Sequence, residues 1–464
     1  MTTPARDQPA PQRLLFGHPR ALAVLAGTEF WDRISFQSMQ ALLTLYMVEQ
    51  LLLPGHIEHV VGFAPFRAAV ETVTGPLSTQ ALATQTFGLY LGLALFAPIL
   101  GGALGDRLLG RSRSVALGAL LMTAGHLCMA FDASFLLALL LLILGTGALR
   151  GNLAPQVGDL YDRDDRRRTI AFQIYGAAVN LAAFVAPVIT GLLKQSYGYH
   201  VGFGFAAVGM IVGLITYLAG QRIVPETARR RTAVAHARLT GAEWRVVLLL
   251  AALVPVAASF WVAQSQIWNT YNLWVRDHLE LAIGSFTVPV PWLQAVDGLA
   301  PFITLPPALW FWRWQARRGR EPDEFGKMAV GCFIFAASTL WLAGGQFVTD
   351  AHGRTPLIWA VVFHLTSNLG WLFFAPTANA LFSRAAPISV TATMMGLYSL
   401  SVSLGSVVSG RLGSLYERLP AAQFWALHAA VVGGGGLALL VFGATVRGRL
   451  FPRRAAVAGA AGRV

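Results

Sequence analysis

Apolar runs of 18 or more residues recur from one end of this chain to the other, and no other feature limits its fold as strongly. A helix of about 18 residues is about 27 Å long, enough to cross the hydrocarbon of a bilayer. Twelve such stretches are predicted, at 21–53, 79–106, 113–131, 133–156, 169–194, 200–221, 244–274, 287–312, 325–348, 356–383, 389–411 and 422–446. Composition agrees: of 464 residues, 55% are hydrophobic and 12% charged, with a mean hydropathy of +0.57. A soluble domain carries roughly 25% charge. Hydrocarbon leaves no solvent for an unpaired backbone group, so the expectation is an all-α membrane protein. The first 20 residues do not read as a signal peptide, because Ala21–Gly27 runs straight into charges before the apolar pattern resumes.

The net charge of +13 is a topology signal and not a nucleic-acid footprint. The N-terminus, the loops after the even-numbered spans and the C-terminus hold 27 of the 35 Arg and Lys residues, and the loops after the odd-numbered spans hold six. Arg33 and Arg150 lie inside spans. That asymmetry predicts two cytoplasmic termini, and basic loops facing anionic headgroups account for the charge. Arginine outnumbers lysine by 33 to 2, a codon bias that suggests a GC-rich bacterium and hence an inner (plasma) membrane. Cys128 and Cys332 fall in different apolar spans, which argues against a structural disulfide and for core packing.

The longest polar connector, Arg222–Arg245, divides the chain into an N-terminal six-helix half (1–221), a cytoplasmic linker (222–245) and a C-terminal six-helix half (246–464). Duplicated halves of this kind are a transporter architecture. Span 2 ends in GGALGDRLLGRSRS (101–114) and span 8, at the corresponding place, in FWRWQARRGR (311–320), which is a faint repeat. Gly and Pro interrupt spans 4, 5, 7, 8 and 10. Such breaks suit helices that bend during a cycle, although both residues are in any case common in membrane helices.

Charge inside the spans is the main clue to function. Glu29, Asp32 and Arg33, in TEFWDRISFQ (28–37), are spaced i, i+3, i+4 and share one helical face. Each charge at a span centre costs roughly 2.5–3.5 kcal/mol on insertion scales. Arg150 in span 4 supplies a second cation, so two acids can neutralise two arginines. A purely structural ion cluster is the competing explanation; it is weakened because apolar replacements are usually as stable. Asp297, near the start of span 8, is either interfacial or buried for function, and His364 either titrates or packs. Trp261 and Trp268 line a cavity or pack, while Trp274, beside Arg276, reads as an interface anchor. No phosphate-cradling loop, metal-ligand spacing or nucleophile elbow occurs, so neither an enzyme nor a metal or cofactor site is expected.

EFWDRISFQSMQALLTLYM (29–47) resembles the first-helix motif Glu-x-x-Glu-Arg-Phe-x-Tyr-Tyr of the proton-dependent oligopeptide transporters. The segment 145–191, which contains Arg150 and Asn180, resembles that family's span 4–5 region, and 198–210 the start of its sixth helix. FWVAQSQ (260–266), WLQAVDGLAPF (292–302), the stretch 368–387 and MMGLYSLSVSLG (395–405) resemble landmarks of its second half. GGALGDRLLGR (101–111) is similar to a loop motif of the wider major facilitator superfamily. The resemblance covers nearly the whole chain. It implies twelve transmembrane helices in two six-helix halves, no cofactor, and a monomer that moves a peptide-like solute with protons by alternating access. It further implies proton coupling at Glu29 and Asp32, a substrate path that includes Arg33, Phe36, Gln37, Arg150, Asn180, Trp261, Ser265, Gln294 and Trp371, and a cytoplasmic gate at Asp106 and Arg107.

The departures are specific. Asp32 stands for a second Glu, Phe36 and Gln37 for the tyrosine pair, and Arg150 for a lysine, which makes proton exchange at that place harder. Ser265 replaces a span 7 glutamate, and Trp371 a span 10 glutamate that faces the peptide's amino group. Gln294 is followed by Asp297 and Gly298 in place of Asn-Pro. Asp297 is therefore a candidate both for proton coupling and for substrate binding. Arg33 and Arg150 remain, so the expected substrate bears an anionic group. The alternatives are a proton-driven exporter of peptide-like or amphiphilic compounds, suggested by Trp371, and a non-transporting sensor.

Overall fold

Sustained apolarity punctuated by glycine and proline gives a molecule built almost wholly of helices. The structure is a computed structural model that describes residues 14–162, 164–225 and 239–450. Most of the stretch read as lacking a leader, the central part of the connector Arg222–Arg245 and residues 451–464 lie outside the described residues.

Fourteen α-helices are described: α1 (Arg20–Tyr46), α2 (Phe63–Thr74), α3 (Thr79–Leu104), α4 (Arg111–Cys128), α5 (Phe135–Asp159), α6 (Arg167–Tyr197), α7 (Tyr199–Gly220), α8 (Gly241–Ser265), α9 (Thr270–His278), α10 (Pro291–Arg317), α11 (Glu324–Gly345), α12 (Ile358–Ala385), α13 (Thr391–Gly413) and α14 (Ala421–Leu450). Eight helical stretches are long and apolar enough to cross a membrane by length and composition. Two-residue hairpins at Leu14–Pro19 and Ala282–Thr287 are the only ladders among the described residues.

Local chemistry sets the helix ends. The Ser78 and Asp323 side chains accept the first free N–H groups of α3 and α11, and Thr240 forms a capping box with Glu243 at α8. Gly198, at φ +89°, turns the chain from α6 straight into α7, a conformation in which a side chain would be strained. Prolines are accommodated inside α3, α5, α6, α8, α10 and α12.

Close approach of backbones, rather than burial of large side chains, fixes several crossings. Gly101 on α3, Gly105 on the π-type turn that continues it, and Gly147 and Gly151 on α5 repeat at four-residue spacing, the small-residue stripe that lets membrane helices touch. A Cβ added at Gly101 would sit 2.0 Å from the Gly147 carbonyl oxygen. Gly88 of α3 meets Gly410 of α13 in the same way, and Gly298 of α10 meets the α6 backbone at Phe184. Elsewhere α1 packs on α6 and α7, α4 on α5 and α7, α8 on α13 and α14, and α11 and α10 on α12.

Two expectations are corrected. The predicted span 244–274 is not one helix. It tightens into a 3-10 turn at Gln266–Trp268, breaks at Asn269 (φ −111°, ψ −105°) and restarts as α9. Trp274 is consequently no interface anchor: it is fully buried, stacked with Tyr271 and edge-on to Trp425 of α14. Helix α2 was not predicted; it is short and buries only Phe63.

The glycine stripe makes a direct test. Gly101→Ala drives a methyl group into backbone, an overpacking cost of about 1–3 kcal/mol, and is expected to lower the detergent melting temperature. Gly204→Ala, where a Cβ meets nothing within 4 Å, serves as the control and should leave it unchanged.

Candidate functional site

The charged face of α1 lies against α5 and α6, and all its charges are paired there. Arg33 Nε donates to Glu29 Oε1 at 2.6 Å, one helical turn away. Arg150 Nε of α5 donates to Asp32 Oδ2 at 2.8 Å. Tyr175 Oη of α6 donates to the other Glu29 oxygen at 2.5 Å. Phe36, one turn beyond Asp32, places its ring 3.9 Å below the Arg150 guanidinium, a cation–π contact that holds the cation from its flat side. Glu29 and Asp32 are buried, while the Arg33 side chain keeps 28% exposure.

The cluster is neutral in sum but not saturated. Asp32 Oδ1 and Arg150 Nη2 are both buried and have no hydrogen-bond partner within the protein. An unpaired acceptor and an unpaired donor in low dielectric are costly unless a ligand, proton or water meets them. The arrangement can therefore bind an anion at a guanidinium, or a proton at a carboxylate, with each choice altering the other. His126 of α4 stands within electrostatic reach of Arg150, with both ring nitrogens unpartnered.

Across the molecule, Asp297 of α10 is hydrogen-bonded to Nδ1 of His364 of α12 at 2.7 Å, and the acid keeps 14% exposure. The His364 ring meets Tyr271 edge-on at 5.0 Å. Gln294, one turn before Asp297, donates to Asn272 Oδ1 at 2.5 Å and to the Ile267 carbonyl at 3.3 Å. Ser265 bonds Ser406 of α13 at 2.9 Å. Trp261 lies edge-on to Phe374 and Tyr398, and Gly405 leaves the space for its Cβ. Gln37, Asn180 and Trp371 are half-buried.

At the basic end of the bundle, Asp106 pairs with Arg111 at 3.0 Å and Arg111 with Asp159 at 2.5 Å, while Arg107 is exposed. Arg111 and Asp159 were not singled out in the sequence. Also missed was the opposite end. There Glu49, on a π-type turn after α1, accepts from Lys194 at 3.2 Å and from Tyr199, and faces Arg276 of α9 at 3.5 Å. Beside it Asp132 holds His56 at 2.7 Å and Tyr46. Burial raises the Asp132 carboxyl, but hydrogen bonds from Tyr46 and His56 and the charges of His200 and His56 bring it below its usual value. Among the described residues no group of three or more His, Cys, Asp or Glu side chains is arranged to hold a metal ion.

Known proteins bear on this geometry. The sequence profile of the POT family matches residues 112–239 and 234–427. An uncharacterized transporter, YclF, of Bacillus subtilis (strain 168) is 28% identical over 93% of this chain and 95% of its own. A di-/tripeptide transporter of Lactococcus lactis subsp. cremoris is 27% identical over 93% of this chain and 96% of its own. The crystal structure of a peptide transporter POT in complex with sulfate superposes with a TM-score of 0.79 at 26% identity, covering 95% of this chain and 96% of that one. These relatives are transporters and not enzymes, and with the family profile matching well over half of its length, this multi-pass membrane chain belongs to the POT family.

Proposed function

We propose that this protein is a proton-coupled symporter of small peptides or peptide-like solutes bearing an anionic group, working by alternating access. The observation that carries the reading is the buried quartet of Glu29, Asp32, Arg33 and Arg150, balanced in charge yet left with an open carboxylate oxygen and an open guanidinium nitrogen. Protonation of Asp32 or Glu29 weakens its hold on the partner arginine and frees that arginine for a substrate carboxylate. The di-/tripeptide transporter of Lactococcus and the sulfate-bound relative support a peptide substrate and an anion site respectively.

The architecture in this reading has twelve spans, with α8 and α9 counted as one and α2 as peripheral. The halves run over 1–221 and 246–464, joined by the linker 222–245, with both termini cytoplasmic in a bacterial inner membrane. Packing supports the division: α3 against α13 and α6 against α10 are the main contacts between the two groups of helices. The Glu49–Arg276 and Thr44–Asn269 contacts join the groups at the end away from the basic loops. The Asp106–Arg111–Asp159 chain stays within one group. The state is accordingly read as closed outside and open to the cytoplasm. Asp106 and Arg107 then belong to the inner gate with Arg111, and Glu49 and Arg276 to the outer one.

Asp297, paired with His364, takes the place of the carboxylates missing at Ser265 and Trp371. It is the acid available in the second half to meet a peptide amine. Gln37, Asn180, Trp261, Gln294 and Trp371 complete the substrate path in this reading, and the unit is a monomer.

Proteoliposomes carrying an internal pH dye test the whole reading: acidification on addition of pooled di- and tripeptides is expected, and silence from folded protein would overturn it. In the same assay Glu29→Gln should abolish proton-driven accumulation while leaving substrate exchange; full accumulation would remove Glu29 from coupling. Arg33→Ala is expected to weaken binding of a carboxylate-bearing dipeptide by about tenfold or more, the loss of a charge-assisted hydrogen bond. Asp297→Asn should reduce the preference for a free over an N-acetylated amino terminus, and an unchanged preference would place the amine elsewhere.

A further inference from the structure

The outer face of α10 carries a second pattern that transport of a peptide does not use. Pro306, Leu309, Trp310, Arg313, Trp314 and Arg317 fall at increments of 3, 4, 7, 8 and 11 from the first, so they form one stripe. Together they line a groove of about 370 Å³. The stripe is turned away from α12, which α10 meets through the Asp297–His364 pair and a 2.7 Å bond from Thr304 to Asn368. Trp310 is 67% exposed and Trp314 39%. Arg318 stacks its guanidinium 4.2 Å above the Trp314 ring, while Arg313 and Arg317 have no acidic partner among the described residues.

On a helix that spans a membrane, an exposed apolar face meets acyl chains. Two guanidinium groups at its end must then reach the headgroup layer. Tryptophan belongs at that depth too, so an interfacial belt explains the rings alone. It does not explain a groove that ends in two unpaired arginines one turn apart. A guanidinium fork matches phosphate oxygens bidentately, and two forks on one face bracket a single phosphodiester. We infer that this groove is a binding site for one anionic phospholipid, with its phosphate between Arg313 and Arg317 and an acyl chain laid over Trp310, Leu309 and Pro306. The inference rests on α10 spanning the bilayer, as in the function proposed above.

Native mass spectrometry of the purified full chain in mild detergent, titrated separately with phosphatidylglycerol and phosphatidylcholine, reads the site directly. One phosphatidylglycerol is expected to bind about tenfold or more tightly than phosphatidylcholine, in keeping with the attraction of two basic side chains for an anionic headgroup. R313Q/R317Q should erase that preference, and the single Arg317→Gln should halve it on a logarithmic scale if the double variant does not fold. R222Q/R245Q, basic but away from the groove, should keep it. Equal affinity for the two lipids, or a preference that survives R313Q/R317Q, overturns the site. The spanning of α10 is read separately, by introducing Phe302→Cys into a chain whose Cys128 and Cys332 are serine. Labelling of that position by a water-soluble maleimide in vesicles would refute the span itself, whereas protection with no lipid preference would refute the lipid site alone.

Discussion

Two carboxylates buried in a medium that cannot solvate them decide how the first helices come together. Asp32 is held by Arg150 of α5, and Glu29 by Arg33 of its own helix and by Tyr175 of α6. Removing one partner would leave a buried charge uncompensated, which costs about 3–5 kcal/mol. The cluster therefore locks α1, α5 and α6 into one register even though apolar residues would pack there at least as well. What the charges add is a choice of partners. Asp32 can be satisfied by Arg150 or by a proton, and Arg150 by Asp32 or by a ligand. That exclusivity, rather than stability, is what the buried ion network would lend to the coupling proposed above.

The rest of the fold lets helices approach closely without wide apolar interfaces to drive them. Lipid is as apolar as a leucine side chain, so association relies on close packing and on hydrogen bonds between helices. The Gly101–Gly147 and Gly88–Gly410 crossings supply the first, and Ser403 to the Gly92 carbonyl and Asn269 to the Thr84 carbonyl the second. Both of these bonds run to backbone oxygens inside α3, so a polar side chain on one helix is satisfied by the backbone of another. The glycines of GGALGDR thus have a structural duty that the motif's resemblance did not reveal: they let α3 touch α5 beside the arginine that holds Asp32.

What the sequence showed and what it hid divide along physical lines. Long apolar runs and the arginine bias are one-dimensional signals, so helices and their order were legible. Glu29, Asp32, Arg33 and Arg150 were conspicuous because charge in hydrocarbon is rare. Tyr175 was invisible, since an aromatic residue in an apolar span carries no sign that its hydroxyl meets a carboxylate 146 positions away. His364 looked like a solitary packing residue until α12 was placed beside α10. The Asn269 break carries no Gly or Pro: QSQIWNTYN is polar, and its tryptophan and tyrosine read as the continuing outer half of a span. Helix α2, at 12 residues, is too short to read as a span.

In the proposed function, arginine at position 150, where the family resemblance implies lysine, constrains the proton's route more than any other departure. A lysine in such a place can give up its proton when buried; a guanidinium does not do so at any working pH. On that proposal, coupling in the first half would then run through the acids, with Arg150 a permanent cation that passes between Asp32 and the substrate. An inward proton contributes about 2.3 kcal/mol per 100 mV, so occupancy of a single carboxylate is enough to drive accumulation. The second half has Ser265 and Trp371 where the resemblance implies glutamates, and an aspartate hydrogen-bonded to a buried histidine. In the proposed function Asp297 offers its carboxylate to a peptide amine while His364 fixes its orientation. The two halves would then divide the work, an arginine-gated acid on one side and a histidine-held acid on the other. Neither needs a protonatable lysine.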